Sequence, residues 1–238
     1  MSQTNTSVTL PEGVSLQRMA QVLSDAWEVG SHQWTDSPLR LREGGEIPPA
    51  PVPGDAIDLF RVLHDRRVPY LLVGGMAMLT YVQGRNTKDV DLIMSAAAAQ
   101  QVPELVIQDR EDFFARACFR SVRVDLLFTS NPLFKTVQER FATAHHFAEL
   151  EVPATTVEGL IVLKLYALPS LYRQFDWDRV YVYESDVKQL LARYMPDMEP
   201  LFSFLAPHMM ASDLGELRKL VFEEQKRLSN AKKQQLGE

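Results

Sequence analysis

Two aspartates flank a single valine in "KDVDLIM" (88 to 94), and the first follows by fourteen positions the second glycine of a pair that closes the apolar run "YLLV" (70 to 73). Alternate side chains of an extended segment share a face, so Asp89 and Asp91 project together. At that separation they can hold one divalent ion between them or serve two adjacent ions. Left without a cation the two carboxylates would repel each other. Gly74 and Gly75 end a buried strand just before a helix, where side chains are absent and amide N–H groups point outward, a place suited to phosphate oxygens. Asp125, inside "SVRVDLLF" (121 to 128), is a candidate third carboxylate on a neighbouring strand. A phosphate cradle beside acidic metal ligands suits phosphoryl or nucleotidyl transfer. Hard oxygen donors favour Mg²⁺ or Mn²⁺ over zinc.

The elements that must position these residues read as a mixed α/β sheet. A helix starting at Asp55 as its cap and running to about Arg67 would bury Ile57, Phe60 and Leu63. "YLLV" reads as a central buried strand, and Met76 to Gln83 as a helix stopped by Gly84. "DVDLIM" (89 to 94) alternates like a strand. "SAAAAQQVPELV" starts as a helix capped by Ser95 and interrupted at Pro103. "FFARACF" (113 to 119) and "SVRVDLLF" complete a hairpin. From Thr156 onward the spacing is helical, in 156 to 168, 183 to 194 and 211 to 228.

Upstream, Leu16, Met19, Ala20, Leu23 and Trp27 recur at helical spacing behind a Ser/Thr-rich start. "EGGEIPPAPVPGD" (43 to 55) carries four prolines and three glycines and reads as a linker or surface strap. The chain has 238 residues, 46% hydrophobic and 24% charged, a globular composition able to bury a sizeable core. A net charge of -6 argues against coating nucleic acid by charge alone, although a local basic cleft is compatible with it. Cys118 is the sole cysteine, which excludes an intrachain disulfide and a thiolate metal cluster. No basic, apolar leader and no membrane-length apolar run is found, so the expectation is a soluble cytoplasmic protein without membrane partners.

"VGGMAMLTYVQGRNTKDVDLIM", with "VRVDLLF" downstream, resembles the signature of the DNA polymerase β-type nucleotidyltransferase superfamily. Within it, "GRNTKDVDL" and "TTVEGLIVLKLYAL" resemble the AbiEii class of nucleotidyltransferase toxins. The similarity spans roughly Tyr70 to Leu191. It implies a nucleotidyltransferase fold but leaves the N-terminal helix with its linker and the C-terminal helices unexplained; with the helical spacing from Thr156 onward, the expected division is 1–54 (N-terminal helix and linker), 55–152 (catalytic core) and 153–238 (helical subdomain). It implies catalytic and metal-holding roles for Asp89, Asp91 and Asp125, the last also taking the acceptor's proton. Gly74, Gly75, Arg85, Thr87 and Lys164 would bind the nucleotide, with Arg173 and Asp186 at later polar positions. Mg²⁺ or Mn²⁺ and an NTP follow as cofactor and substrate. The acceptor stays open between RNA or tRNA, a protein and a small molecule, and a cognate antitoxin is implied as a partner. Many superfamily members carry Ser after the first glycine, whereas Gly75 supplies no hydroxyl.

Plainer readings stand beside these. Lys164, in "LIVLKLYAL", also fits a snorkelling lysine. Asp125 also fits an ion pair with Arg123 or Arg120 at a sheet edge, but a carboxylate between Val124 and Leu126 is costly without a cation. His145 and His146 point to opposite faces and read as structural or exposed rather than as a metal pair. "YRQFDWDR" (172 to 179) reads as a packed corner, with Asp176, Trp177 and Asp178 as candidates should the acceptor be a small molecule. The basic residues from Arg218 to Lys233 read as a solvated helix face. A non-catalytic nucleotidyltransferase-like binding module or antitoxin, or an antibiotic nucleotidyltransferase, is the alternative function.

Overall fold

A computed structural model describes residues 15–34, 52–147 and 150–236. The Ser/Thr-rich start, most of the 43 to 55 linker and the side chain of Trp27 lie outside the described residues. The chain divides into two compact units, Met1–Thr155 and Thr156–Glu238.

In the first unit, α1 (Leu16–Trp34) buries Leu16, Met19, Ala20 and Leu23 and packs against α2 (Pro53–Asp65). Asp55 does not cap α2. Val52 occupies the cap position and Pro53, whose fixed φ and missing N–H suit a first turn, opens the helix. Asp55 instead accepts hydrogen bonds from Ser121 N and Oγ and from Arg120, tying α2 to the turn of a hairpin. The wholly buried β1 (Tyr70–Val73) runs into α3 (Gly74–Met78), which is shorter than its helix formers predict and ends well before Gly84. Then come β2 (Val90–Met94), α4 (Ala96–Ala99) capped by Ser95 as expected, and β3 (Leu105–Arg110), β4 (Phe114–Phe119) and β5 (Val122–Phe128).

The segment after Pro103 is therefore a strand, nearly all of it exposed beyond Leu105. Helix α5 (Pro132–Arg140) has its start written in the sequence, with Asn131 accepting from Leu133 N ahead of Pro132. β6 (Ala142–His146) and β7 (Glu151–Thr155) complete a seven-stranded sheet in the order β3-β4-β5-β2-β1-β7-β6. β2 lies antiparallel to β1 and parallel to β5, and β7 runs parallel to β1, so the sheet is mixed, as expected.

His145 and His146 do face opposite ways. His146 is exposed and lies 3.0 Å from a carboxylate oxygen of Glu151, whereas His145 is fully buried. The hydroxyl of Tyr81 donates to the Thr155 carbonyl at 2.9 Å, so His145 Nε2 must donate to the phenol oxygen, 3.2 Å away. His145 Nδ1 is then a buried acceptor without a partner among the described residues. Burial, with a smaller contribution from His146, pushes the His145 imidazole down to about 4. The unfolded chain takes up that proton near the ordinary histidine value while the folded chain stays neutral. Stability conferred above that value is therefore lost as pH falls toward 4, by about 3 kcal/mol in all. Unfolding titrations at pH 7 and 4.5 should show this loss in the parent and a flattened pH dependence in His145→Gln.

The second unit is helical. α6 (Val157–Arg173) is capped by Thr156, which accepts from Gly159 N, and continues through Pro169 instead of stopping at residue 168. α7 (Trp177–Tyr194) starts earlier than its apolar spacing predicts because Asp176 accepts from Arg179 N. α8 (Glu199–Leu205) is joined to α9 (Ala211–Leu236) by the Arg218–Glu199 pair. The "YRQFDWDR" segment is not the packed corner expected, since Phe175 is 73% exposed with φ +57° and Trp177 stands beside it edge-on. Among the described residues no helix is long and apolar enough to cross a membrane.

Candidate active site

Strand register brings the acids to the Gly-Gly turn. Val73, the last residue of β1, is paired with Asp91 on β2, so the chain enters Gly74 and Gly75 directly beside that carboxylate. Gly75 N donates to Asp91 Oδ2 at 3.2 Å. On the other side of β2, Asp91 is paired with Asp125 of parallel β5. Residues paired in this way project from the same face of a sheet, so Asp91 and Asp125 are neighbours on one face. Asp89, one residue before β2, is reached by Thr87, whose hydroxyl lies 3.2 Å from both Asp89 Oδ1 and the Asp89 carbonyl oxygen. Asp89, Asp91 and Asp125 are all half-buried, partly open to solvent rather than enclosed in the core.

Both glycines are required by contact. Gly74 has φ +63°, and a Cβ there would lie 1.8 Å from Asp91 Oδ2. A Cβ on Gly75 would lie 2.3 Å from Thr87 Oγ1. Buried Thr87 thus fills the space in front of Gly75 and touches Asp89 with the same hydroxyl. That contact explains the departure from the Gly-Ser pattern: a side chain at residue 75 has no room. Gly74→Ala combines a left-handed backbone with a collision, for an expected loss of about 3 kcal/mol. Chemical denaturation should show that drop, whereas Gly54→Ala, with open space around its Cβ, should change stability by only a few tenths.

Arg85 lies in the loop ahead of β2 with its guanidinium against the Asn86 carbonyl. Among the described residues no group of three His, Cys, Asp or Glu side chains forms a ready-made metal cluster. What the fold itself sets is the Asp91–Asp125 pair, with Asp89 oriented by Thr87. These hard oxygens in a partly open position fit Mg²⁺ or Mn²⁺ and offer no soft or nitrogen donor for zinc.

No protein-family model and no curated protein sequence matches this chain. Among solved structures, an antigenic nucleotidyltransferase-like protein from Paracoccidioides brasiliensis superposes with a TM-score of 0.51 at 15% identity, covering 74% of this chain and 88% of that one. The fold is nucleotidyltransferase-like. Two structures of the antibiotic-resistance factor ANT(2″)-Ia are also similar. The one in complex with adenylyl-2″-tobramycin gives a TM-score of 0.47 at 14% identity over 63% of this chain and 95% of that chain. The solution structure gives 0.45 at 13% over 75% and 96%. The likeness is one of fold and does not extend to the AbiEii class.

The remaining residues singled out in this nucleotidyltransferase-like chain belong to the second unit. Lys164 is 4% exposed, its Nζ 2.8 Å from Asp186 Oδ2 and 4.0 Å from the centre of the Tyr183 ring. Two sequence candidates thus pair with each other. Arg173 pairs with Asp213 on α9. Sequence reading missed Arg116, which the β4–β5 hairpin sets opposite Asp125. The signal was the turn itself: Arg120, with φ +51°, and Ser121 separate Phe119 from its partner Val122, and counting back from that rung reaches Arg116 and Asp125.

Proposed function

We propose that this chain is a nucleotidyltransferase that moves a nucleoside monophosphate from an NTP to a hydroxyl of an acceptor and releases pyrophosphate. The observation that carries the reading is the convergence of Asp91, paired with Asp125, on the Gly74–Gly75 turn. The side-chain-free turn would receive the triphosphate through backbone N–H groups. Asp89, Asp91 and Asp125 would hold Mg²⁺ or Mn²⁺, which when bound neutralises phosphate charge and activates the attacking oxygen. The acceptor hydroxyl oxygen forms a bond to the α-phosphorus as the α–β anhydride bond breaks, and its proton passes to the Asp125 carboxylate. Thr87 fixes the Asp89 carboxylate, while Arg85 is the proposed further phosphate contact.

Incubation with each labelled NTP, Mg²⁺ and cell extract tests the activity, and thermal shift with NTP and Mg²⁺ tests the site. Label transferred to any acceptor, together with a raised unfolding midpoint, is the expected result. No label and no shift with any NTP would leave a non-catalytic binding module. The toxin role implied by AbiEii resemblance is read by growth arrest on expression, relieved by a cognate antitoxin.

A further inference from the structure

We infer that the outer face of α9 is an interface between two copies of this chain, packed antiparallel about a two-fold axis level with Val221, with Phe222 at its centre. α9 packs on α7 and α8 and buries Leu217, Val221 and Glu224. The face turned away from them carries Glu216, Lys219, Phe222, Glu223 and Lys226, all exposed and on one stripe at spacings of three and four. Four of those five are the charged residues expected of a solvated face. Phe222 is not, and it is 66% exposed in the middle of the stripe.

The ring has an apolar surface beside it. Between α8 and α9 lies an open groove of about 490 Å³, floored by Met198, Phe202 and Val221 and walled by Arg218 and Phe222. Arg218 is fixed there, with Nη1 2.6 Å from Glu199 and the guanidinium 4.6 Å from the centre of the Phe202 ring. An exposed ring at the mouth of an apolar groove marks a surface that another molecule covers. Gly215, seven residues before Phe222 on the same stripe, has open space around its Cβ position, so a second helix can come close there.

The charges say what that molecule is. Lys219 and Glu223 stand two residues either side of Val221, and Glu216 and Lys226 stand five either side. In an antiparallel copy about that axis, Lys219 of each chain meets Glu223 of the other, and Glu216 meets Lys226. Every charge on the stripe thus finds its opposite, and the two Phe222 rings lie either side of the axis beside their grooves. A parallel pair in the same register would set each charge against its like, which disfavours it. Residues 211 to 231 overlap in the antiparallel arrangement, about 30 Å of helix. The same patch serves both copies, so the assembly closes at two. Lys219 lies 2.8 Å from Glu216 of its own chain, but these side chains are 70% and 74% exposed, and such a pair rearranges at little cost.

Sedimentation equilibrium on the full chain over a concentration series tests this, with thermal unfolding measured alongside. The parent should pass from monomer to dimer in the micromolar range. Phe222→Ser should weaken that association by roughly tenfold or more with little change in the unfolding midpoint, since so exposed a ring adds little to the packing of its own chain. Lys219→Glu and Glu223→Lys each set like charges against each other across the axis, so each should sediment as a monomer where the parent is a dimer. Mixed together, the two variants should form a one-to-one heterodimer, because each then meets the opposite charge on the other. That recovery also shows that neither single variant had lost its fold. A parallel pair would be indifferent to either reversal, since it holds like charges before and after. The inference is overturned if the parent stays monomeric, if Phe222→Ser or either charge reversal alone keeps the parent's mass, or if the mixed variants stay apart.

Discussion

Asp91→Asn is expected to lower nucleotidyl transfer by roughly three orders of magnitude, about 4 kcal/mol of transition-state stabilisation, while leaving the unfolding midpoint almost unchanged. Asparagine keeps the size of the side chain and an oxygen to accept from Gly75 N, so the turn stays in place. What disappears is the negative charge that, with Asp125 at the same register position, would hold the cation. Asp125→Asn should lose a comparable amount. The double variant should be little worse than either single one, because residues acting as one unit are not additive. Labelled-NMP transfer read beside thermal unfolding checks this, and near-parental turnover in Asp91→Asn would end the assignment.

Lys164→Met should destabilise the helical unit by about 4 kcal/mol, because it takes from the buried carboxylate of Asp186, 1% exposed, the ammonium 2.8 Å away. Lys164→Met combined with Asp186→Leu should restore most of that stability, since apolar residues can replace a buried pair at little cost. Urea unfolding measures both. The double variant also separates two roles that the single variant confounds. Recovered stability with NTP affinity lost would mark Lys164 as a phosphate contact as well as half of the pair. Recovered stability with NTP affinity kept would confine it to packing.

Much of this site could be read before any coordinates. Apolar "YLLV" ahead of two glycines and "DVDLIM" after them specify strand, turn and strand by local pattern alone. The hairpin holding Asp125 follows from alternation in "SVRVDLLF". The strands left unassigned in the sequence share a physical cause. Pro153 speaks against a strand and "ATAHH" lacks apolar alternation, yet β6 and β7 form because each finds a partner along the sheet. Leu105–Arg110 has little core to cover and is a strand through its pairing with β4.

By itself the sequence determined which chemical groups are present and that they sit on extended segments around a glycine turn, because those properties depend on neighbours a few residues away. Only the tertiary structure decided that Asp91 faces Asp125, that Thr87 forbids a side chain at Gly75, and that Lys164 is matched to Asp186. Those are contacts between segments separated along the chain, and their partners are chosen by strand register and packing rather than by local periodicity.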